Sequence, residues 1–332
     1  MRIFKVALGF ALCLLLGSCG KKEPERAAHL TPPSAAKKAK VLDENGHQRT
    51  DDYSWLSNPK DLAVLALLDA ENDYATKMLQ HTEGVQNKLF DEMNSREEQT
   101  KTELPVKENG YWHYRRFEPN QSFPLVCRKK DDWQAAEQII LNIPELAKSQ
   151  THFELADVAV SPDNNYVAYL VDLTGERRHV LYIKNLATGK LSSEKITNVA
   201  SQALAWSGDS KSVFYVLVDE TVRGFRAMRH VLGSDTKNDK VVFEEKNKSY
   251  VLSIVTSRSR KYVFIGSFSN NGSEIRFLDV QKVDAAPTLV QQRQPNLQYQ
   301  VEHYDGNEFF IQNNRNAPNN KLSVTPDRKS VV

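Results

Sequence analysis

The sequence predicts an all-β protein: an incomplete β-propeller, with about five blades present, preceded by an N-terminal helical hairpin. Two patterns carry this prediction. Beyond Thr102, short strands rich in aromatic and β-branched residues return in units of about 46 to 55 residues, the length of one four-stranded blade. Before Thr102, apolar residues recur at helical spacing. A solenoid would need shorter repeats, and a two-sheet sandwich is not expected to repeat at so constant an interval.

Two amphipathic helices are predicted between Asp61 and Met93. The turn Asn58-Pro59 precedes the first helix, and the second begins at Glu83. Their apolar residues are Leu62, Leu65, Leu68, Ala75, Met78 and Leu79, followed by Val85, Leu89, Phe90 and Met93. Together the two helices form a hairpin whose apolar face needs a partner.

The strand units begin with a hairpin that joins residues 111–117 to residues 123–127. A similar unit then returns four times, and the last one is incomplete. The first two strands of these units cover residues 158–163 and 166–172, 203–209 and 213–219, 252–257 and 262–267, and 299–304 and 309–311. Asp and Gly in the intervening turns accept the backbone angles that a tight hairpin requires.

The N-terminus predicts export and a lipid anchor. Arg2 and Lys5 precede an apolar run from Val6 to Leu16, which is too short to span a membrane and is typical of a signal peptide, residues 1–18. The ending Leu16-Gly17-Ser18-Cys19 resembles a bacterial lipobox, so Cys19 is the expected lipid attachment site; an ordinary secretory cleavage is the alternative. Gly20 after the cysteine favours the periplasmic face of the outer membrane. Residues 19–50, rich in Lys, Ala, Pro and Glu, are expected to form a flexible tether.

Charge and cysteine content exclude several classes of function. The 44 Lys and Arg residues nearly balance the 42 Asp and Glu residues, so nucleic acid is not an expected partner. Three cysteines are present, and Cys13 lies in the segment expected to be removed. With Cys19 acylated, Cys127 has no partner for a disulfide and is expected to be a buried small hydrophobe on a strand. No metal-ligand spacing occurs among the eight histidines, and no cofactor is expected.

Several segments resemble the prolyl oligopeptidase family of serine peptidases, and the similarity runs from about Asp43 to Leu322. The opening segments are residues 51–56 (DDYSWL), Glu71-Asn72 and residues 109–116 (NGYWHYRR). Later segments narrow the resemblance to the oligopeptidase B branch: residues 160–163 (VSPD), 204–209 (LAWSGD), 228–234 (MRHVLGS) and 243–245 (FEE). Many such segments in one order and spacing are a specific signal.

The resemblance implies an enzyme of two domains, in which a seven-bladed open propeller caps an α/β-hydrolase domain. It implies cleavage of short peptides, after Arg or Lys in this branch, with a Ser-Asp-His triad in the C-terminal half. No G-x-S-x-G motif occurs here. We therefore expect a chain truncated before the catalytic domain, with no catalytic residue of its own. The implied domains are residues 51–101, a helical extension; residues 102–326, the incomplete propeller; and residues 327–332, a tail.

Several side chains are candidates for a site, and most have a structural explanation. His113, His230 and His303 lie on predicted strands, where packing or surface positions are expected. The sets Ser161-Pro162-Asp163 and Ser207-Gly208-Asp209 place a hydroxyl beside an acid, but they sit at repeat turns. The pairs Arg115-Arg116 and Arg177-Arg178 fit a solvated strand edge better than a pore. Acids after the second strands could attract basic peptides: Asp172, Glu176, Asp219 and Glu220.

Two functions remain open at this stage. The chain is either the substrate-gating propeller of a serine oligopeptidase, whose hydrolase domain is missing or supplied by a partner chain, or a lipid-anchored propeller that only binds. Oligopeptides with basic residues are the partners that the resemblance implies, beside the membrane that holds the anchor.

Overall fold

The computed structural model describes residues 30–97 and 100–327. These residues form two compact units, 30–97 and 100–327. The predicted boundary between the helical extension and the propeller lies within a few residues of this division. The signal segment, Cys13, Cys19 and residues 328–332 of the predicted tail lie outside the described residues.

The first unit opens with an antiparallel hairpin of strands β1 (Lys40–Glu44) and β2 (His47–Asp51). Its turn consists of Asn45 and Gly46, which both have positive φ, as a two-residue hairpin turn requires. The prediction of a flexible tether over residues 19–50 is therefore wrong from Lys40 onward. An Asn-Gly pair is a strong hairpin signal, and the polar composition around it hid that signal.

The predicted helical hairpin is confirmed as helices α1 (Leu62–Leu79) and α2 (Glu83–Arg96). Asp61 caps α1 because its carboxylate accepts the N–H of Ala63 at 2.8 Å. Most of the apolar residues of the two helices stay exposed: Leu62, Leu65, Leu68, Leu79, Val85, Leu89, Phe90 and Met93. Within residues 30–97 and 100–327, the helices are all too short or too polar to cross a membrane.

The second unit consists of five successive antiparallel blades, and the predicted partial propeller is confirmed. Blade 1 contains β3 (Val106–Glu108), β4 (Tyr111–Arg116), β5 (Leu125–Lys130) and β6 (Glu137–Asn142). After the short helix α3 (Ile143–Ala147), blade 2 contains β7 (Glu154–Val160), β8 (Tyr166–Asp172), β9 (His179–Asn185) and β10 (Leu191–Val199).

The other three blades follow the same order along the chain. Blade 3 contains β11 (Ala205–Trp206), β12 (Ser212–Val218), β13 (Gly224–Val231) and β14 (Lys240–Glu244). Blade 4 contains β15 (Val251–Thr256), β16 (Tyr262–Ser269), β17 (Gly272–Asp279) and β18 (Thr288–Gln291). Blade 5 has three described strands, β19 (Tyr299–Glu302), β20 (Glu308–Asn313) and β21 (Lys321–Pro326).

The core of this unit is a series of apolar layers between neighbouring blades. One layer joins blades 1 and 2, and further layers join blades 2 and 3, 3 and 4, and 4 and 5. In the second layer, Leu170 and Leu181 of blade 2 pack against Trp206 and Tyr215 of blade 3. Each blade is therefore held by the face of the next one, as radial packing requires.

Candidate functional site

The first strands of blades 1 to 4 surround a cavity of about 560 Å³. Strand β3 contributes Val106 and Glu108, β7 contributes residues 157–160, and β15 contributes Val255 and Thr256. The second strand of blade 1 adds His113 and Arg115. Because the innermost strands of blades 1 to 4 line it, we interpret this cavity as the central channel of the propeller arc and call it the channel. The channel also extends over blade 1, where Val126 and Ile140 line it.

Five charged side chains of both signs line the channel: Glu103, Glu108, Arg115, Asp157 and Arg260. Glu108 and Arg260 form an ion pair, in which the Arg260 Nε donates to the Glu108 Oε1 at 3.0 Å. Arg115 is exposed, so its guanidinium can meet a solute in the channel. The channel can therefore bind either end of a short zwitterionic chain by charge.

Asp157 is the most deeply set of the channel acids. It lies at a bulge in β7, and its carboxylate accepts the N–H of Leu204 on the next blade at 3.2 Å. Burial raises the pKa of Asp157, although backbone N–H groups oppose the shift. Burial also lowers the pKa of His113, which lines the same channel. Both shifts favour the neutral form of the side chain.

The other two candidate histidines, His230 and His303, are packed inside the blades. His230 is fully buried on β13, with Nδ1 at 2.8 Å from the Asp239 Oδ1. His303 is also fully buried, just after β19, with Nε2 at 3.6 Å from the Asp327 Oδ2. The packing positions expected for these two residues are the positions found.

The Ser-Asp sets form the same turn in two successive blades. The Ser161 Oγ donates to the Asp163 Oδ1 at 2.6 Å and accepts the N–H of Tyr166 at 2.9 Å. The Ser207 Oγ makes the equivalent bonds to Asp209 and to the N–H of Ser212. Each hydroxyl is used by its own turn, so neither is set up as a nucleophile.

Two of the four acids expected to attract basic peptides, Asp172 and Asp219, accept hydrogen bonds from the loops that follow them. Asp172 is fully buried, and its carboxylate accepts the N–H groups of Thr174, Gly175 and Arg177 at 2.7 to 3.0 Å. Burial acts to raise the pKa of Asp172, but these bonds outweigh it and hold the pKa below its usual range.

Asp219 holds the equivalent loop of blade 3, where it accepts from Thr221 and Arg223. These bonds outweigh burial and lower its pKa to about 2. The oxygens of Asp172 and Asp219 are therefore bonded within their own loops and are not free to bind a basic side chain directly, and the attraction of basic peptides by these acids stays a prediction. Glu176 and Glu220 are exposed on the same loops.

Of the arginines in the two predicted pairs, Arg116 and Arg178 bond to other parts of the blades, and Arg115 lines the channel. The Arg178 Nη2 donates to the carbonyls of Asp219 and Glu220, both at 3.0 Å, and so joins blade 2 to blade 3. Arg116 on β4 pairs with Glu137 on β6 at 2.8 Å, within blade 1. Arg115 alone of these faces the channel, which corrects its expected place on a solvated strand edge.

Cys127 is fully buried on β5, as expected, and burial raises its pKa to about 12. One group of side chains, His152, Glu154 and Asp172, brings possible metal-ligand atoms within 4.8 Å of one another. The Asp172 oxygens already accept backbone N–H groups, so this group does not fit a metal ion.

Sequence reasoning missed most of the channel residues. Glu103, Glu108, Asp157 and Arg260 carry no motif, and they come from three separate segments. One usable signal existed, because the first strand of each repeat faces the axis of a propeller. The polar positions on those strands were therefore candidates.

A β-propeller arc of four-stranded antiparallel blades around a charged channel is the class of protein that this fold defines. Residues 32–330 match the family model described as the prolyl oligopeptidase N-terminal β-propeller domain. The chain belongs to the prolyl oligopeptidase family and carries its N-terminal propeller domain.

Relatives and solved structures agree with this assignment. The chain is 34% identical over 321 residues to "Dipeptidyl aminopeptidase BI" of Pseudoxanthomonas mexicana, covering 90% of this chain and 44% of the relative. It is 30% identical to "Protease 2" of Moraxella lacunata, covering 85% and 42%. The structure of oligopeptidase B from Leishmania major superposes with a TM-score of 0.83 at 24% identity, covering 90% and 44%. The chain thus spans less than half the length of these proteins.

Proposed function

We propose that this chain gates the access of short peptides to the serine peptidase active site of an α/β-hydrolase domain. That domain belongs to the remainder of the protein or to a partner chain. The observation that carries the proposal is the channel, which has a volume of about 560 Å³, is lined by charged side chains of both signs and includes the inner strands of four blades. A cavity of this volume has room for a short peptide segment and is too small for a folded domain.

Short peptides with Arg or Lys are the proposed substrates, with cleavage after these residues. The relatives include proteins named as a dipeptidyl aminopeptidase and a protease, and the similar structures include two oligopeptidases B. In the channel, the exposed Glu103 offers a carboxylate to a basic side chain, and Glu108 can do so when its ion pair with Arg260 opens. Arg115 offers a partner for a peptide carboxylate. These charges support the proposal through complementarity with such peptides.

The exposed apolar stripe of α1 and α2 is the proposed contact with the hydrolase domain. It includes Leu62, Phe90 and Met93, which are exposed by 81%, 67% and 69%. Patches of this kind usually mark protein interfaces. The exposure of these side chains supports a covered position in the complete enzyme.

We further propose that Cys19 carries a lipid and holds the protein at the periplasmic face of the bacterial outer membrane. The support is the Leu-Gly-Ser-Cys ending of the signal segment. A Cys19→Ser variant should move from the membrane fraction to the soluble fraction of the cell envelope. Its retention in the membrane fraction would contradict the anchor.

The channel proposal is tested by blocking the channel. Val255 lines it and is 55% exposed, so Val255→Trp adds a large ring there without disturbing the core. We expect this change to weaken binding of a short fluorescein-labelled Arg-containing peptide by about tenfold or more. The control is Val241→Trp on the outermost strand β14, where Val241 is 56% exposed. Equal binding by both variants would contradict the proposal.

An activity assay separates gating from simple binding. The chain alone is expected to cleave no Arg-ending chromogenic peptide, because the sequence contains no G-x-S-x-G motif. Cleavage that a serine-reactive phosphonate abolishes would overturn this expectation. Peptide binding without any catalytic partner in the cell envelope would favour the alternative, a lipid-anchored propeller that only binds.

A further inference from the structure

The ion pair between Glu108 and Arg260 joins two blades that are not neighbours. Glu108 ends β3 of blade 1, and Arg260 lies in the turn after β15 of blade 4. Each apolar layer of the arc joins adjacent blades, so blades 2 and 3 lie between these two residues along the arc. A contact between blades 1 and 4 must therefore cross the central space.

Both residues line the channel near its turn end, the end formed by the turns that follow the first strands. Pro162 of blade 2 and Gly208 of blade 3 line the channel from the equivalent turns. The Arg260 Nε reaches the Glu108 Oε1 at 3.0 Å, and the Arg260 Nη2 also contacts this oxygen. The pair thus spans the turn end of the channel.

The backbone of Arg260 determines which substitution can remove the ion pair without disturbing the turn. In blades 2, 3 and 4 the same turn is closed by an N–H to the serine carbonyl three residues earlier, from Asn164, Ser210 and Arg260. All three residues have φ near +60°. Asn adopts this left-handed conformation readily, whereas Arg does so at a cost in strain. Because Ser210 adopts the same φ in blade 3, the turn sets this conformation, and Asn is the substitution at position 260 that suits it.

We propose that Glu108 and Arg260 form a clasp that narrows the turn end of the channel and opens without unfolding of either blade. The pair is exposed by 53% and 30%, so it is weak and sensitive to salt. A peptide that passes this end of the channel must break the clasp. This consequence for peptides rests on the proposed function, whereas the clasp itself does not.

The test measures the distance between blades 1 and 4 with spin labels. Lys130 of blade 1 and Lys282 of blade 4 are exposed near the turn end and are replaced by Cys, with Cys13 and Cys19 replaced by Ser. Cys127 is buried and stays unlabelled. Arg260→Asn keeps a residue suited to the left-handed turn but removes the ion pair. Arg258→Asn is the control, because Arg258 is exposed in the same turn and its side chain makes no ion pair within the described residues.

The two labels are closer together when the clasp is closed than when it is open. In Arg260→Asn, we expect the ratio of closed to open molecules, measured from the short-distance and long-distance populations, to fall about twofold to fivefold. The thermal midpoint should stay the same or rise, because strain is relieved. Raising the salt concentration should have the same effect on the wild type and none on Arg260→Asn. The double charge reversal, Glu108→Arg with Arg260→Glu, should restore the short distance.

Identical distance distributions in the wild type and Arg260→Asn would overturn the clasp. An equal change in Arg258→Asn would overturn it as well. Glu108→Gln provides a second way to remove the pair, and it should match Arg260→Asn in distance. These measurements contain no peptide, so their failure is separate from a failure of the Val255→Trp binding experiment.

Discussion

The indole Nε1 of Trp206 donates a hydrogen bond to the carbonyl of Ala159 at 2.9 Å and so joins the first strands of two neighbouring blades. Ala159 lies on β7 and Trp206 on β11, which is only two residues long. The Trp206 ring is also stacked on Tyr166 of blade 2, with ring centroids 6.3 Å apart. One side chain therefore anchors a very short inner strand to the blade before it.

Trp206→Phe should destabilise the chain chiefly through loss of this hydrogen bond. A net loss of about 1 to 2 kcal/mol is expected, because the part-buried carbonyl of Ala159 loses its indole donor. Chemical denaturation followed by circular dichroism measures the change. The control is Trp112→Phe, which removes a longer indole bond of 3.3 Å within blade 1. A loss for Trp112→Phe as large as that for Trp206→Phe would contradict the special role of the contact between blades.

The turns held by Ser161, Ser207 and Ser257 should differ in how much the serine hydroxyl stabilises the folded chain. Ser161 and Ser207 donate to carboxylates, whereas the equivalent Ser257 pairs with the neutral hydroxyl of Ser259 at 2.9 Å. Hydrogen bonds to charged groups are about twice as strong as neutral ones. Ser161→Ala and Ser207→Ala should therefore each cost about 2 kcal/mol, and Ser257→Ala about 1 kcal/mol.

Denaturation midpoints of the three Ser→Ala variants test this order. An equal cost at all three turns would indicate that the hydroxyl's acceptance of the backbone N–H matters and its donation does not. The peptide binding of these variants should match the wild type, because the hydroxyls are used by their own turns.

The sequence predicted the strands with strong apolar runs best. The strand predicted at residues 166–172 is β8 residue for residue, because aromatic and β-branched side chains fill it. The outer strand β10 was missed, since only Glu194, Ile196 and Val199 of its nine residues are buried. An outer strand faces solvent for most of its length, so its composition resembles that of a loop.

The candidate site was harder to predict than the fold. Glu108 and Arg260 are 152 residues apart in the sequence, and they meet because the arc brings blades 1 and 4 to one channel. The sequence reveals the repeated blades, but it does not reveal which side chains of two distant blades meet in the channel. Asp172 shows the opposite error, because an acid after a strand was interpreted as surface charge although it caps its own loop.

The charge of Asp172 should make stability depend on pH in the acidic range. Its pKa is lowered in the folded chain, so its contribution is complete above the ordinary pKa of an aspartate, about 3.9. That contribution is lost as the pH falls through the lowered value. Asp172→Asn, which turns one acceptor oxygen into a donor, should cost about 2 to 3 kcal/mol at pH 7. The difference from the wild type should shrink as the pH approaches 2.

Thermal denaturation of both proteins from neutral to acidic pH measures this difference. The control is Glu176→Gln in the same loop, where the side chain is exposed and little change is expected at any pH. A gap between wild type and Asp172→Asn that stays constant down to the lowest pH would show that the carboxylate's charge is not the source of the stabilisation.

Cys127 should be inert toward thiol reagents in the folded chain. It has no exposed surface, and a pKa of about 12 leaves about one thiolate in ten thousand thiols at pH 8. With Cys13 and Cys19 replaced by Ser, Ellman's reagent should react with Cys127 only at the rate at which blade 1 opens. Lys130→Cys, at the exposed end of the same strand, is the comparison and should react at once. Equal reaction rates at the two positions would show that the side chains packed with Cys127, among them Tyr114 and Trp133, do not cover the thiol.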